Sequence, residues 1–226
     1  MSDEEIENGV EASIGVVRPL PPVIPVFPLT GAVLLPETQL PLNIFEPRYL
    51  KMVRDAKVGN GLIGMIQPRP DDGDGPPPLY AVGTVGHIGQ YQETADGRII
   101  IVLDGVSRFR IIQEITAATP YRQVNVDWSP FELDGMALPD MDAMVDRPRL
   151  MQALSQYLDS EGLQTDFDVL EAAPTAVLVS NLAVALPFEP AEKQALLEAQ
   201  TVAARAETLL ALFDMASAAN DTGFAN

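Results

Sequence analysis

From Pro21 to Trp128 the apolar positions fall in short runs separated by proline and glycine: Val23–Leu29, Ala32–Leu35, Leu40–Phe45, Leu62–Gln67, Leu79–Glu93, Arg98–Leu103, Val106–Ala117 and Tyr121–Trp128. Runs of this length, rich in β-branched residues and bounded by turn formers, predict strands, so this half of the chain reads as mainly β. One segment breaks the pattern. Glu46-Pro47 leads into RYLKMVRDAKVG, which puts proline at a first helical position, gathers Tyr49, Leu50, Met52 and Val53 on one side and ends at Gly59. Asp96-Gly97 supplies the positive φ of a tight hairpin turn, Asp104-Gly105 predicts a second sharp change of direction, and Thr119-Pro120 a third. Consecutive antiparallel strands joined in this way make a meander or a small barrel.

Beyond Trp128 alanine, leucine and acids dominate and the period changes from two to between three and four. Helices are expected over Pro148–Leu158, Asp166–Leu170, Pro174–Leu186 and Pro190–Phe213, the last with one apolar face through Leu196, Ala199, Val202 or Ala203, Ala206, Leu209 or Leu210, and Phe213. Glu189, Pro190 and Glu192 suit the positive end of that helix. The expected organisation is an acidic flexible tail over 1–20, a β-rich domain over 21–128, a linker over 129–147, an α-helical bundle over 148–216 and a flexible C-terminus over 217–226, an α+β chain. The acidic, proline-rich stretch Asp71–Pro78 reads as a mobile surface loop.

Charge narrows the partners. The chain of 226 residues carries a formal charge of −18. Residues 12–124 are balanced, with ten basic and ten acidic side chains, whereas 125–226 hold four and seventeen. Such a field repels a polyanion, so no nucleic-acid partner is expected. The absence of cysteine removes disulfides and thiolate metal sites and fits a cytoplasmic location. The N-terminus lacks the basic and apolar regions of a signal peptide, and the longest apolar stretch, Ala176–Leu186, is too short to cross a membrane.

Catalytic patterns are missing. There is no phosphate-binding glycine loop, and the one histidine, His87, lies on a strand without an adjacent acid. Ser180 and Lys193 could form a serine-lysine pair, but Ser180 falls within an apolar helix rather than on a sharp exposed turn. Asp72-Gly73-Asp74-Gly75 is superficially similar to a calcium loop and lacks its remaining ligands. No metal and no cofactor are expected. Glu46, Arg48 and Arg108 stand out as a structural signature: a carboxylate-guanidinium contact joining the helix start to a strand, at least partly buried.

The segments IPVFPLTGAVLLPETQLPLNIFEPRYLKMVRDA, AVGTVGHIGQ, DGRIIIVLDGVSRFRI and SNLAVALPFEPAEKQALLEAQTVAARAETLLALF, in that order, resemble the LON substrate-binding domain family. This is the N-terminal region of bacterial ATP-dependent Lon proteases, found also in standalone proteins and in cereblon. The resemblance implies a PUA-like β pseudo-barrel followed by a C-terminal α-helical bundle. It also implies a non-catalytic, proteolysis-related binding module, since the chain ends at Asn226 without the ATPase and peptidase domains of a full Lon protease. The expected partners are unfolded or hydrophobic polypeptide segments, or one specific protein partner in a docking or regulatory role. An RNA-binding PUA-like protein and an enzyme with an unrecognised carboxylate site are the alternatives. Candidate binding residues are Phe45, Tyr49, Met52, Met65 and Tyr91, because aromatics and methionine offer adaptable apolar contact.

Overall fold

The computed structural model describes residues 20–71, 73–134, 136 and 144–223. The expected tail therefore lies almost wholly outside the described residues, as do most of the linker beyond Asp134 and the last three positions of the chain. Six strands form one mixed sheet: β1 (Val23–Pro28), β2 (Gln39–Ile44), β3 (Leu62–Ile66), β4 (Val82–Glu93), β5 (Ile99–Ile115) and β6 (Gln123–Asp127). Its order is β2-β5-β4-β3-β1-β6, and a further β5–β6 pairing joins five of the strands into a ring with β2 as a side branch. Only β1 and β3 run parallel.

β5 makes this possible by its length. Residues 99–104 pair with β2 and residues 110–115 with β6, while β4 lies along the other edge. The turn expected at Asp104-Gly105 is accordingly absent, and the strand continues through it with a bulge at Val106, where the β4–β5 register shifts. A Cβ on Gly105 would stand 2.0 Å from the Leu35 carbonyl oxygen, so this glycine admits a neighbouring backbone between β2 and β6 rather than reversing the chain. The Leu35 segment is itself a correction. Ala32–Leu35 has the composition of a strand but pairs with none; Val33, Leu34 and Leu35 are buried, and Leu35 is held by Thr38, whose hydroxyl accepts from its amide at 3.1 Å and donates to its carbonyl at 2.8 Å. The Asp96-Gly97 turn forms as expected, with Gly97 at φ 83°.

The apolar side chains separate into three clusters. Ile24, Val26, Leu62, Ile66, Val85, Phe109, Val124 and Val126 come from all five ring strands and fill the ring. A second cluster lies under helix α1 (Pro47–Val58), whose Tyr49, Met52, Val53 and Ala56 pack on Ile44, Ile99 and Ile101. The third belongs to the helices α2 (Arg147–Glu161), α4 (Thr175–Ala185), α5 (Pro190–Glu198) and α6 (Val202–Gly223), which gather around α6 and close on Val33, Leu35 and Val82. Short α3 (Phe167–Ala172) is capped by Asp166. The Glu189–Glu192 capping box opens α5. α6 continues past the expected end of the helical region at 216. No helix among the described residues is long and apolar enough to cross a membrane.

Candidate functional site

The five candidate binding residues do not make one surface. Phe45, at the corner between β2 and α1, is 65% exposed. Tyr91 on β4 is half-buried, with the Lys57 ammonium 3.4 Å from its ring centroid and its hydroxyl donating to Glu93. Tyr49, Met52 and Met65 are core residues, contrary to the expectation. Tyr49 and Met52 are three apart on α1 and share the face turned to the sheet, where the Tyr49 ring lies 4.3 Å from that of Phe27. Met65 sits on β3, all five of whose residues are buried.

Around Phe45 and Tyr91 the outer face of α1 carries Arg48, Lys51, Arg54 and Lys57, each matched locally. Arg48 pairs with Glu46, Lys51 with Asp55 and Arg54 with Glu93, while Lys57 covers Tyr91. Hydrogen bonds from Lys51 and Tyr121 hold the Asp55 carboxyl below the usual range, and the Tyr91 hydroxyl does the same for Glu93. Screened by solvent, these pairs add little stability; they leave the corner nearly neutral, with Phe45 as its exposed apolar element.

The signature triad is corrected by the structure. Glu46 pairs with Arg48 at 2.8 Å near the surface, and Arg108 is buried elsewhere. Alternation along β5 sends Phe109 into the ring and Arg108 outward to the helical half. There Nε and Nη2 of Arg108 donate to Asp134 at 2.9 and 2.7 Å, and Nη1 donates to the Leu197 and Ala199 carbonyls at 3.1 and 2.6 Å. Its guanidinium stacks on Phe131, 4.5 Å from the ring centroid. Arg205 completes the cluster, donating to the Leu196 and Ala199 carbonyls. Burial, and then the charge of Arg108, lowers the Arg205 pKa to about 10. Beside them Gln194 donates to the Val82 carbonyl, and Gln67 donates to Gln194 and to the Pro190 carbonyl, so a polar seam joins the two halves. Asp134 and Arg205 escaped the sequence reading because neither stands in a pattern: one lies in an irregular segment, the other on a helix 97 residues from Arg108.

The remaining candidates for chemistry have other partners. Lys193 is buried, which lowers its pKa, and donates to the Val184 carbonyl at 3.0 Å rather than to Ser180. His87 is exposed and faces Asp104 across the β4–β5 ladder, an acid that only the pairing brings close. Asp104 accepts instead from Gln39 at 2.8 Å. Among the described residues no group of three or more His, Asp or Glu could hold a metal ion.

Known proteins match this fold and sequence over most of the chain. A solved Lon N-terminal domain protein from Xanthomonas campestris is 27% identical, with a TM-score of 0.59 over 84% of this chain and 97% of that one. The N-terminal domain of Lon protease from Mycobacterium avium complex shares the fold at 19% identity, with a TM-score of 0.63 over 85% and 98% of the two chains. Among curated sequences, Lon protease 2 of Sorangium cellulosum is 29% identical over 84% of this chain, and a Lon protease of Flavobacterium johnsoniae 25% identical over 92%. The chain spans only 24% and 25% of the length of those two relatives. The profile of the ATP-dependent protease La (LON) substrate-binding domain matches residues 23–214, and the chain belongs to that family.

Proposed function

We propose that the protein is a non-catalytic polypeptide-binding module that holds unfolded or hydrophobic segments in the cytoplasm. The observation that carries this reading is the match of nearly the whole folded chain to a substrate-binding domain. We read the closed ring of strands as the PUA-like pseudo-barrel of that domain, and the helices around α6 as its bundle. Phe45, held out from the corner by Pro47 and the first turn of α1, and the half-buried Tyr91 ring near the other end of that helix are the elements we assign to apolar contact. The composition supports the same view, since no phosphate-binding loop is encoded and Lys193 is engaged away from Ser180.

The test is retention of a permanently unfolded protein, reduced and carboxymethylated, on the immobilised chain. Wild type is expected to retain it without hydrolysing ATP or cleaving the bound chain. Phe45→Ser should weaken retention by about tenfold, the loss of one well-placed aromatic anchor, while leaving the melting temperature unchanged. No retention by wild type sinks the reading. Capture of a single native protein in place of unfolded chains would favour a docking role.

A further inference from the structure

A second feature of the β half is a fork in the sheet. β4 pairs with β5 only as far as Val82 opposite Arg110, extended by one bond from the Ile111 amide to the Ala81 carbonyl at 2.8 Å. Upstream of Ala81 the chain turns to the other side: the Tyr80 amide donates to the Gln67 carbonyl, and Arg69 to that of Pro78. β5 continues to Ile115, paired with β6 alone, so beyond Ile111 no described strand covers its β4-side edge. Between the diverging segments lies an open groove of about 390 Å³. Its floor is the half-buried Leu79 and Ile111, with Val124 buried beneath them in the cluster filling the ring, and Tyr80 and Arg69 stand at its walls.

Two details shape it further. The β5–β6 register slips between Ile111 and Gln113, making Ile112 a bulge residue that is 60% exposed beside the groove. Arg122 grips Glu114 through two bonds of 2.7 and 2.6 Å and donates to the Pro77 carbonyl at 2.8 Å, which neutralises one wall and ties the proline strap to it. Arg69, by contrast, is exposed and has no side-chain partner among the described residues, and so is the groove's open positive charge.

We propose that this fork is a binding site for an extended polypeptide segment, which adds to β5 alongside Ile112–Ile115 in the place β4 vacates, sets apolar side chains on the half-buried Leu79 and Ile111 and presents a carboxylate to Arg69. An uncovered strand edge is matched by another extended backbone and not by a compact ligand, and the single unpaired cation selects an acid. The inference rests on the polypeptide-binding reading and gives it a main-chain component that does not depend on Phe45.

The probe is a fluorescein-labelled hexapeptide of alternating valine and threonine with one aspartate. Beside it are a version with lysine for the aspartate and a version N-methylated at alternate amides. The aspartate peptide is expected to bind and to move the amide resonances of Gln113–Ile115. N-methylation should cost at least about tenfold, a loss of roughly 1.4 kcal/mol or more. Ala81→Trp, which fills the groove from an exposed position, should have a similar effect. Arg69→Glu should weaken the aspartate peptide and spare the lysine one. Equal binding of the N-methylated peptide, unchanged binding by Ala81→Trp or resonance shifts confined to other strands overturns the proposal. So does the appearance of those shifts on concentrating the protein alone, which would assign the edge to a second copy of this chain. Retention of the carboxymethylated protein without hexapeptide binding refutes the fork and leaves the general reading intact. Loss of both refutes the general reading as well.

Discussion

Tyr121 ties the segment before β6 to helix α1. Its hydroxyl donates to Asp55 Oδ2 at 2.9 Å, and burial, followed by that carboxylate, pushes the phenol pKa up to about 12. The folded state thus keeps a proton that the unfolded chain releases near the usual phenol value. The resulting stability is complete below about pH 10 and falls as pH rises through about 12. Tyr49 and Tyr157 are also raised by burial and add to the same slope. Tyr121→Phe should therefore make the alkaline loss of stability shallower without removing it. The check is the difference in urea midpoint between about pH 8 and pH 11 for the two proteins. An unchanged difference would mean that the Tyr121–Asp55 bond does not persist in solution.

At the scale of elements, the apolar spacing from Leu196 to Phe213 reads as one helix, yet the chain breaks between α5 and α6 over 199–201. Part of the cause is remote. Arg108 and Arg205 draw the carbonyls at the end of α5 toward the seam, and the Thr201 hydroxyl starts the next helix by accepting from the Ala204 amide at 3.0 Å. Arg108→Met would strand Asp134, whose side chain is 9% exposed, without its cation. The expected cost is about 3–5 kcal/mol in urea unfolding, and Arg108→Met/Asp134→Leu should recover most of it. A double variant as unstable as the single one would show that the carbonyl contacts, not the ion pair, dominate. The same contrast marks what could be read in advance. The positions of β1, β2, β3, β4 and β6, α1 with its proline start and the Glu189 cap were legible because local pattern sets them. The continuity of β5 through Gly105, the core position of Met65 and the pairing of Arg108 with Asp134 were not, because each depends on a segment far away in sequence. Phe45 is left at the surface and Tyr91 half-buried because, among the described residues, only Lys57 lies over the Tyr91 ring and Phe45 falls outside the buried face of α1.

Over the whole molecule, folding sharpens the charge asymmetry already present in the sequence. Of the four basic residues after position 124, Lys193 and Arg205 are buried, and Arg147 is half-buried, donating to Thr175 and to the Leu170 and Glu171 carbonyls. Arg149 alone faces solvent freely against the acids of the helical half. Among the described residues one ion pair, Arg108–Asp134, engages any of those acids. The exposed cations of the β half are mostly matched by neighbours: Arg48, Lys51, Arg54 and Arg98 each pair with an adjacent carboxylate. Apolar contact at Phe45 and backbone pairing at the β5 edge depend little on ionic strength, while repulsion of an acidic chain falls as the screening length shrinks from about 10 Å at 0.1 M salt to about 3 Å at 1 M. Retention of the carboxymethylated polypeptide, itself acidic, should therefore hold or increase across that range, and generic RNA should not be retained at either end. RNA retained at 0.1 M and released at 1 M would reverse the assignment of partner, because counterion release from a polyanion is the process that salt suppresses so steeply.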